Sequence, residues 1–290
     1  MINNKSAFIL LLLSSVFCGF TLIGISGKPI QKGLIVDLNA DKGVVTNADN
    51  KVEKWINQAS TPIVKEFVKT DEGRKVKGSG MPALRKELAE LNGHSSIAFV
   101  KQELIAHDED AFDYLLTGNG YTWFCVLKAG KQSGELKDVN SFFGNLKNGG
   151  NYEGIWGGLN DNNSIWMGSR NGVTFGRWDD NNPYVTSNTV LEQDKYYLLM
   201  GKMGKGTDTV TLSLYLNNGG SPVASRPFPV NKLANSSKMA IGQERDAIQH
   251  PGTESFIGEI SRFLLYDRPL SDQELNKTAK ELKKMYGVID

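Results

Sequence analysis

Beyond residue 28, apolar and polar positions alternate with period two far more often than with period 3.6, and turn residues separate the alternating runs. Ile35 to Leu38 reads as a short opening strand. Tyr121 to Lys128 sets Tyr121, Trp123, Cys125 and Leu127 against Thr122, Phe124, Val126 and Lys128, apolar enough on both faces to predict a central strand. Ile165 to Arg170, Asn171-Gly172 and Val173 to Trp178 read as a hairpin, because Asn-Gly supplies the two positive φ values of a type I′ turn. Tyr196 to Met203 and Thr209 to Leu216 form a second pair joined through Gly204 to Asp208. In its second strand Val210, Leu212, Leu214 and Leu216 predict a core face, and Thr209, Thr211, Ser213 and Tyr215 a wet one. Ile257 to Tyr266 closes the series before Asp267-Arg268-Pro269. The pattern is that of an all-β sandwich or barrel.

Two helices are predicted within it. Pro82 to Leu91 places Leu84, Leu88 and Leu91 on one stripe and stops at Asn92-Gly93. The second is C-terminal: Ser271 and Glu274 make a capping box, Leu275, Ala279, Leu282 and Tyr286 a helical stripe, and Gly287 a stop.

The first residues follow a different logic. Lys5, the apolar run Ala7 to Phe17 and the small residues through Gly27 have the order of a secretory signal, so residues 1–27 are expected to be removed and 28–290 to form one domain. The apolar run is short for a span of ~20 residues and is broken by Ser14 and Ser15. The expected location is secreted or periplasmic. A lipid anchor on Cys18 is the alternative, against which Phe17 stands where a small residue is needed.

With 33 basic and 32 acidic residues, no stripe of charge recommends nucleic acid or a membrane surface. The 31 Gly against 9 Pro suit many tight turns. Only Cys125 outlasts signal removal, so the core must hold without an intrachain disulfide, and Cys125 is expected to be a buried small hydrophobe.

The run Phe256-Ile257-Gly258-Glu259-Ile260 through Leu265-Tyr266-Asp267-Arg268-Pro269-Leu270-Ser271, with the helix ending Lys284-Met285-Tyr286-Gly287, resembles the closing strand and helix of bacterial laminin G/concanavalin A-like domains. Leu38-Asn39-Ala40-Asp41-Lys42-Gly43, with Trp55 downstream, resembles their opening strand and turn. The resemblance implies a two-sheet antiparallel jelly roll that recognises glycan or an extracellular protein. It does not fix function by itself.

A narrower resemblance, to pentraxins, covers Gly242-Gln243-Glu244-Arg245-Asp246, Glu254 and Asp161-Asn162. It implies calcium as the one candidate cofactor, held by Asp161, Asn162, Glu244, Asp246 and Glu254 with the carbonyl of Arg245. Calcium takes about six to eight hard oxygen ligands, which two such loops meeting at one edge can supply. The plainer reading of the same residues is solvated loop carboxylates and turn-forming Asn. Leu198 and Leu199 stand where the pentraxin partner of Cys125 would be.

Aromatics among Gly, Asn and Asp nominate Tyr152, Trp156, Trp178 and Tyr184 as stacking surfaces for sugar rings, with packing over sheet ends as the alternative. Trp123 and Trp166 lie inside strands and are expected in the core. Asp37, Asn39 and Asp41 mimic the start of a helix-loop-helix calcium loop, but the strand pattern around them removes the context that motif needs. No Glu-x-Asp-x-x-Glu is present, Glu244-Arg245-Asp246 lacks the second Glu, and His94, His107 and His250 have no ligand spacing. The expectation is a carbohydrate-binding domain. A protein-binding or adhesive module and a polysaccharide hydrolase or lyase are the alternatives.

Overall fold

The computed structural model describes residues 29–70, 80–132, 140–145, 153–171, 182–230, 237–243 and 255–289. In chain order its strands are β1 (Leu34–Asn39), β2 (Val44–Thr46), β3 (Val52–Ile56), β4 (Glu66–Val68), β5 (Ala83–Leu88), β6 (His94–Val100), β7 (Leu104–Ile105), β8 (Tyr121–Ala129) and β9 (Asn140–Gly144). They continue with β10 (Glu153–Leu159), β11 (Ser164–Asn171), β12 (Tyr184–Val190), β13 (Tyr196–Met203), β14 (Thr209–Leu216), β15 (Ala224–Pro229), β16 (Ala240–Ile241) and β17 (Ile257–Tyr266), before helix α1 (Asp272–Tyr286). They make two antiparallel sheets: one of eight strands in the order β15-β14-β13-β8-β17-β6-β5, with β1 also on β17, and one of nine in the order β12-β11-β10-β9-β16-β7-β4-β3-β2.

β8 and β17 show how sequence becomes layering. Along β8, Trp123, Cys125 and Leu127 enter the core between the sheets, while Phe124 and Val126 belong to a second apolar cluster beneath α1. The strand is apolar on both faces because both faces are covered. Cys125 is free and fully buried, and it faces Leu199 on β13 and Phe263 on β17, so its neighbours are hydrocarbon. Burial pushes the thiol well above its ordinary value. β17 pairs with β8 along most of its length. Its other edge is shared: Ile257 to Ile260 pair with β6 and Arg262 to Tyr266 with β1.

The C-terminal helix forms as its capping signature requires. Ser271 accepts from the Glu274 amide, Glu274 reaches back to the Ser271 amide, and Gly287 closes the helix at φ +66°. Arg268 fixes the box from outside by donating to both Glu274 oxygens at 2.8 Å. Leu275, Ala279, Leu282 and Tyr286 then seal the outer face of the eight-stranded sheet.

Three expectations are corrected. Residues from Ala83 form β5 and a single 3-10 turn, Ala89–Leu91, instead of a helix. The free edge of β6 pairs with Ala83, Leu84 and Arg85, and Glu87 at φ +53° breaks the helical path. The Leu stripe is satisfied anyway, since Leu88 and Leu91 are buried under α1. The edge of β11 that an Asn171-Gly172 hairpin would use is taken by β12 between Ser164 and Gly168, and the other edge by β10 throughout. The expected strand Val173 to Trp178 itself lies outside the described residues. On β14, Ser213 and Tyr215 are buried instead of wet, Tyr215 within the cluster beneath α1, which periodicity within one strand cannot reveal.

Candidate functional site

The hairpin between β10 and β11 turns at Asn160 to Asn163. Asn160 donates its amide to the Ser164 carbonyl, Asn163 donates to the Asn160 carbonyl, and Asn163 takes φ +67°, which asparagine tolerates better than most residues. Asn162 Oδ1 accepts from the Ser164 amide at 2.9 Å, and both Asp161 and Asn162 are exposed. One of the two proposed oxygen donors is thus partly engaged in holding its own turn. Asp161 is open to solvent.

The topology brings Gln243 toward this end. Ile241 pairs with Phe143, Gly242 donates to the Phe142 carbonyl, and Gln243 bridges Ser255, so residue 243 emerges where β9 begins. β9 pairs there with β10, Asn140 facing Leu159 one residue before the turn. Only β9 separates β10 from β16, and at about 4.8 Å per strand the two lie about 10 Å apart. Glu244, Asp246 and Glu254 lie outside the described residues. Among the described residues no three His, Cys, Asp or Glu side chains gather as metal ligands, and Asp161 with Asn162 falls short of the six or so oxygens calcium takes. Calcium at this edge therefore requires the donors of 244–254.

Sequence reasoning missed Asn140. It is fully buried at the start of β9, and neither of its side-chain atoms has a hydrogen-bond partner. An unpaired buried amide costs about 1–3 kcal/mol. No pattern in the sequence distinguishes it from the other asparagines in turns nearby.

Of the four aromatic candidates, Tyr152 and Trp178 lie outside the described residues. Trp156 is fully buried and offers no face to a sugar, which corrects that expectation. The reason is Gly168 on the adjacent strand, directly opposite: the indole lies across it so closely that a Cβ there would sit 2.1 Å from the ring. Trp156 also meets Trp166 edge to face at 5.3 Å between centroids. Trp123 and Trp166 are buried as expected. Tyr184 is half-buried, edge-on to Trp166 at 6.5 Å and with the Arg226 guanidinium 5.8 Å from its centroid. It is the one described aromatic of the four that remains accessible.

Elsewhere, Glu259 on β17 is a heavily bonded carboxylate. Lys128 and Arg85 pair with Oε1, while Ser96 and Tyr196 donate to Oε2, Tyr196 at 2.6 Å. Burial alone would raise its pKa, yet the donors Ser96, Tyr196 and Lys128 hold the carboxyl below the usual range. A carboxylate so occupied stitches five strands together and has no lone pair to offer a substrate. His94, expected to be an ordinary surface residue, instead sets Nδ1 2.6 Å from Asp41 Oδ2 and packs its ring 4.8 Å from that of Tyr286. His107 is exposed and His250 lies outside the described residues. Asp37, Asn39 and Asp41 share one face of β1 and its turn, but Asp37 is bound to Arg262 and Asp41 to His94 and the Ser95 amide, not arranged as a calcium loop.

The two antiparallel sheets define a jelly-roll β-sandwich. Residues 107–276, more than half of the chain, match the sequence profile of the concanavalin A-like lectin/glucanases superfamily, and the chain belongs to that family. Among solved structures it is similar to domain 4 of AbnA, an extracellular arabinanase of Geobacillus stearothermophilus, in complex with arabinotriose. The TM-score is 0.52 at 15% identity, covering 86% of this chain and 100% of that one. It is also similar to Trypanosoma rangeli sialidase in complex with sialic acid, with a TM-score of 0.53 at 14% identity over 89% of this chain. The chain spans about a third of the sialidase, 34% of its length. Comparison with curated proteins returns no match. Among the described residues no helix is long and apolar enough to cross a membrane.

Proposed function

We propose that this chain is an exported carbohydrate-binding domain whose glycan site lies at the sheet edge marked by Asp161 and Asn162, with calcium held between that turn and Glu244, Asp246 and Glu254. The observation that carries this reading is the strand order: β10, β9 and β16 stand side by side, so the 160–163 turn and the segment after Gln243 leave the sheet at one end. The arabinotriose complex of the similar arabinanase domain supports a glycan as the ligand class. The bound ion would supply a fixed positive charge for sugar hydroxyls to coordinate. Tyr184, Tyr152 and Trp178 are the aromatic surfaces left for stacking, Trp156 being closed.

The test is binding to a glycan array with calcium and with chelator, alongside thermal melts. Calcium is expected to raise the melting temperature, since an ion that binds only the folded state adds about 2.7 kcal/mol at one hundred times its Kd. Asp161→Ala is expected to abolish that shift. Glycan binding unaffected by chelator removes calcium from the reading. An empty array, with a protein ligand captured instead, favours the adhesive alternative.

A further inference from the structure

A second site is built from residues the glycan reading does not use. Between β1, the turn after it and the last turn of α1 lies a cleft of about 510 Å³, inside the 300–1,000 Å³ typical of small-molecule sites. Its floor and rim are Asp37, Asn39, Asp41, Lys42, His94 and Arg262, and Met285 and Pro29 add an apolar wall.

The charges of this cleft are balanced internally. Asp37 and Arg262, both at least nine-tenths buried, form an ion pair with contacts of 2.7 and 2.8 Å. Asp41 is engaged by His94 Nδ1 and by the Ser95 amide at 2.7 Å. A divalent cation would face the Arg262 and Lys42 charges, and an anion the two carboxylates. What stays open is hydrogen-bonding capacity of both kinds. Asn39 is 8% exposed and its Oδ1 accepts from the Asp41 amide, while its Nδ2 lines the cleft with no partner among the described residues. Lys42 stands exposed at the rim, and the partly exposed Asp41 carboxylate can still accept. Hydroxyls, each one donor and two acceptor lone pairs, fit a lining of this kind.

We propose that this cleft binds one residue of a neutral, hydroxyl-rich ligand, a sugar ring whose C–H face lies on Met285 and Pro29 and whose hydroxyls meet Asn39, Asp41 and Lys42. It is separate from the edge at Asp161, on the outer face of the opposite sheet. It would give a sandwich with two contact points for one polysaccharide, each weak and together stronger through effective concentration.

The test is a titration of the 15N-labelled protein, followed by amide chemical shifts, with arabinotriose, with cellobiose and with glucuronate as the charged control. At least one neutral sugar is expected to move the amides of Asn39, Lys42 and His94. Asn39→Asp keeps an acceptor for the Asp41 amide but replaces the donor with a carboxylate, and Lys42→Ala removes the rim ammonium. Each is expected to weaken binding at the cleft about threefold to tenfold, the loss of one hydrogen bond. Lys42 is exposed, so its variant tests the cleft even if Asn39→Asp perturbs the turn. Shifts confined to residues 160–163 and 240–243 overturn the cleft and leave the proposed function standing. Shifts confined to the cleft do the reverse. A response to glucuronate alone, or to none of the three, overturns this proposal.

Discussion

Arg262 on β17 and Asp37 on β1 meet beneath the C-terminal helix, Nε 2.7 Å from Oδ1 and Nη2 2.8 Å from Oδ2, with 7% and 9% of their side chains exposed. Burial raises the Asp37 carboxyl above the usual carboxylate range even though Arg262 opposes it, so desolvation outweighs attraction. Asp37→Ala is expected to cost about 3–5 kcal/mol, because Arg262 is left as a buried uncompensated charge. Replacing both, Asp37→Leu with Arg262→Met, is expected to recover most of that loss. Urea denaturation of the single and double variants checks it, and additive losses would show that the pair does not act as a unit.

The Arg268 clamp on Glu274 makes stability depend on acid. Its two hydrogen bonds, with the Ser271 amide, hold the Glu274 carboxyl down to about 2. A carboxylate with a depressed folded value stabilises fully above its ordinary value and loses that contribution as pH falls through the folded one. The carboxylate is only part-buried, its side chain 31% exposed, so the contribution is taken as about 1 kcal/mol after screening. Between pH 5 and pH 2.5 the parent is expected to lose about that much more stability than Glu274→Gln. Equal acid profiles in guanidinium melts would remove the clamp from the account.

Glu259 is predicted to be structural. Tyr196→Phe deletes one of four donors and is expected to cost about 1 kcal/mol. Glu259→Gln leaves Arg85 without its counter-charge and Lys128 with only the more distant Glu90, 3.7 Å away, and is expected to cost about 3 kcal/mol. Chemical denaturation measures both. If Glu259→Gln were neutral in stability but lost glycan binding, the residue would belong to a site instead.

Gly168→Ala is expected to destabilise by at least about 2 kcal/mol, since its Cβ would meet the Trp156 ring at 2.1 Å and overpacked cores cost about 1–3 kcal/mol. The indole would have to leave its trough, giving a red shift in tryptophan emission. An unchanged spectrum and melting curve would show that the ring already has room to move.

The fold was legible wherever alternation and capping agreed. β8, the β13–β14 pair, β17 and the Ser271 capping box stand where the sequence reading places them, because each signal is local and the packing reinforces it. β5 was not legible: Leu84, Leu88 and Leu91 fit a helical stripe, and only the open edge of β6 decides for a strand. The same holds for Tyr215, whose burial depends on a helix more than fifty residues away in sequence. The candidate site was less legible than the fold. Asp161 and Asn162 could be placed on a turn by composition, but Trp156 could not be told from a binding surface until Gly168 was seen opposite it. Asn140 and the Asp37–Arg262 pair are created by strand register, which no local pattern encodes.

The position of β17 has a consequence for how the chain is made. This strand joins β8 to both β6 and β1, yet it follows all three in the chain. Until residue 266 has been synthesised, the halves of the eight-stranded sheet have nothing between them, so closure is a late step dominated by contacts distant in sequence and correspondingly slow.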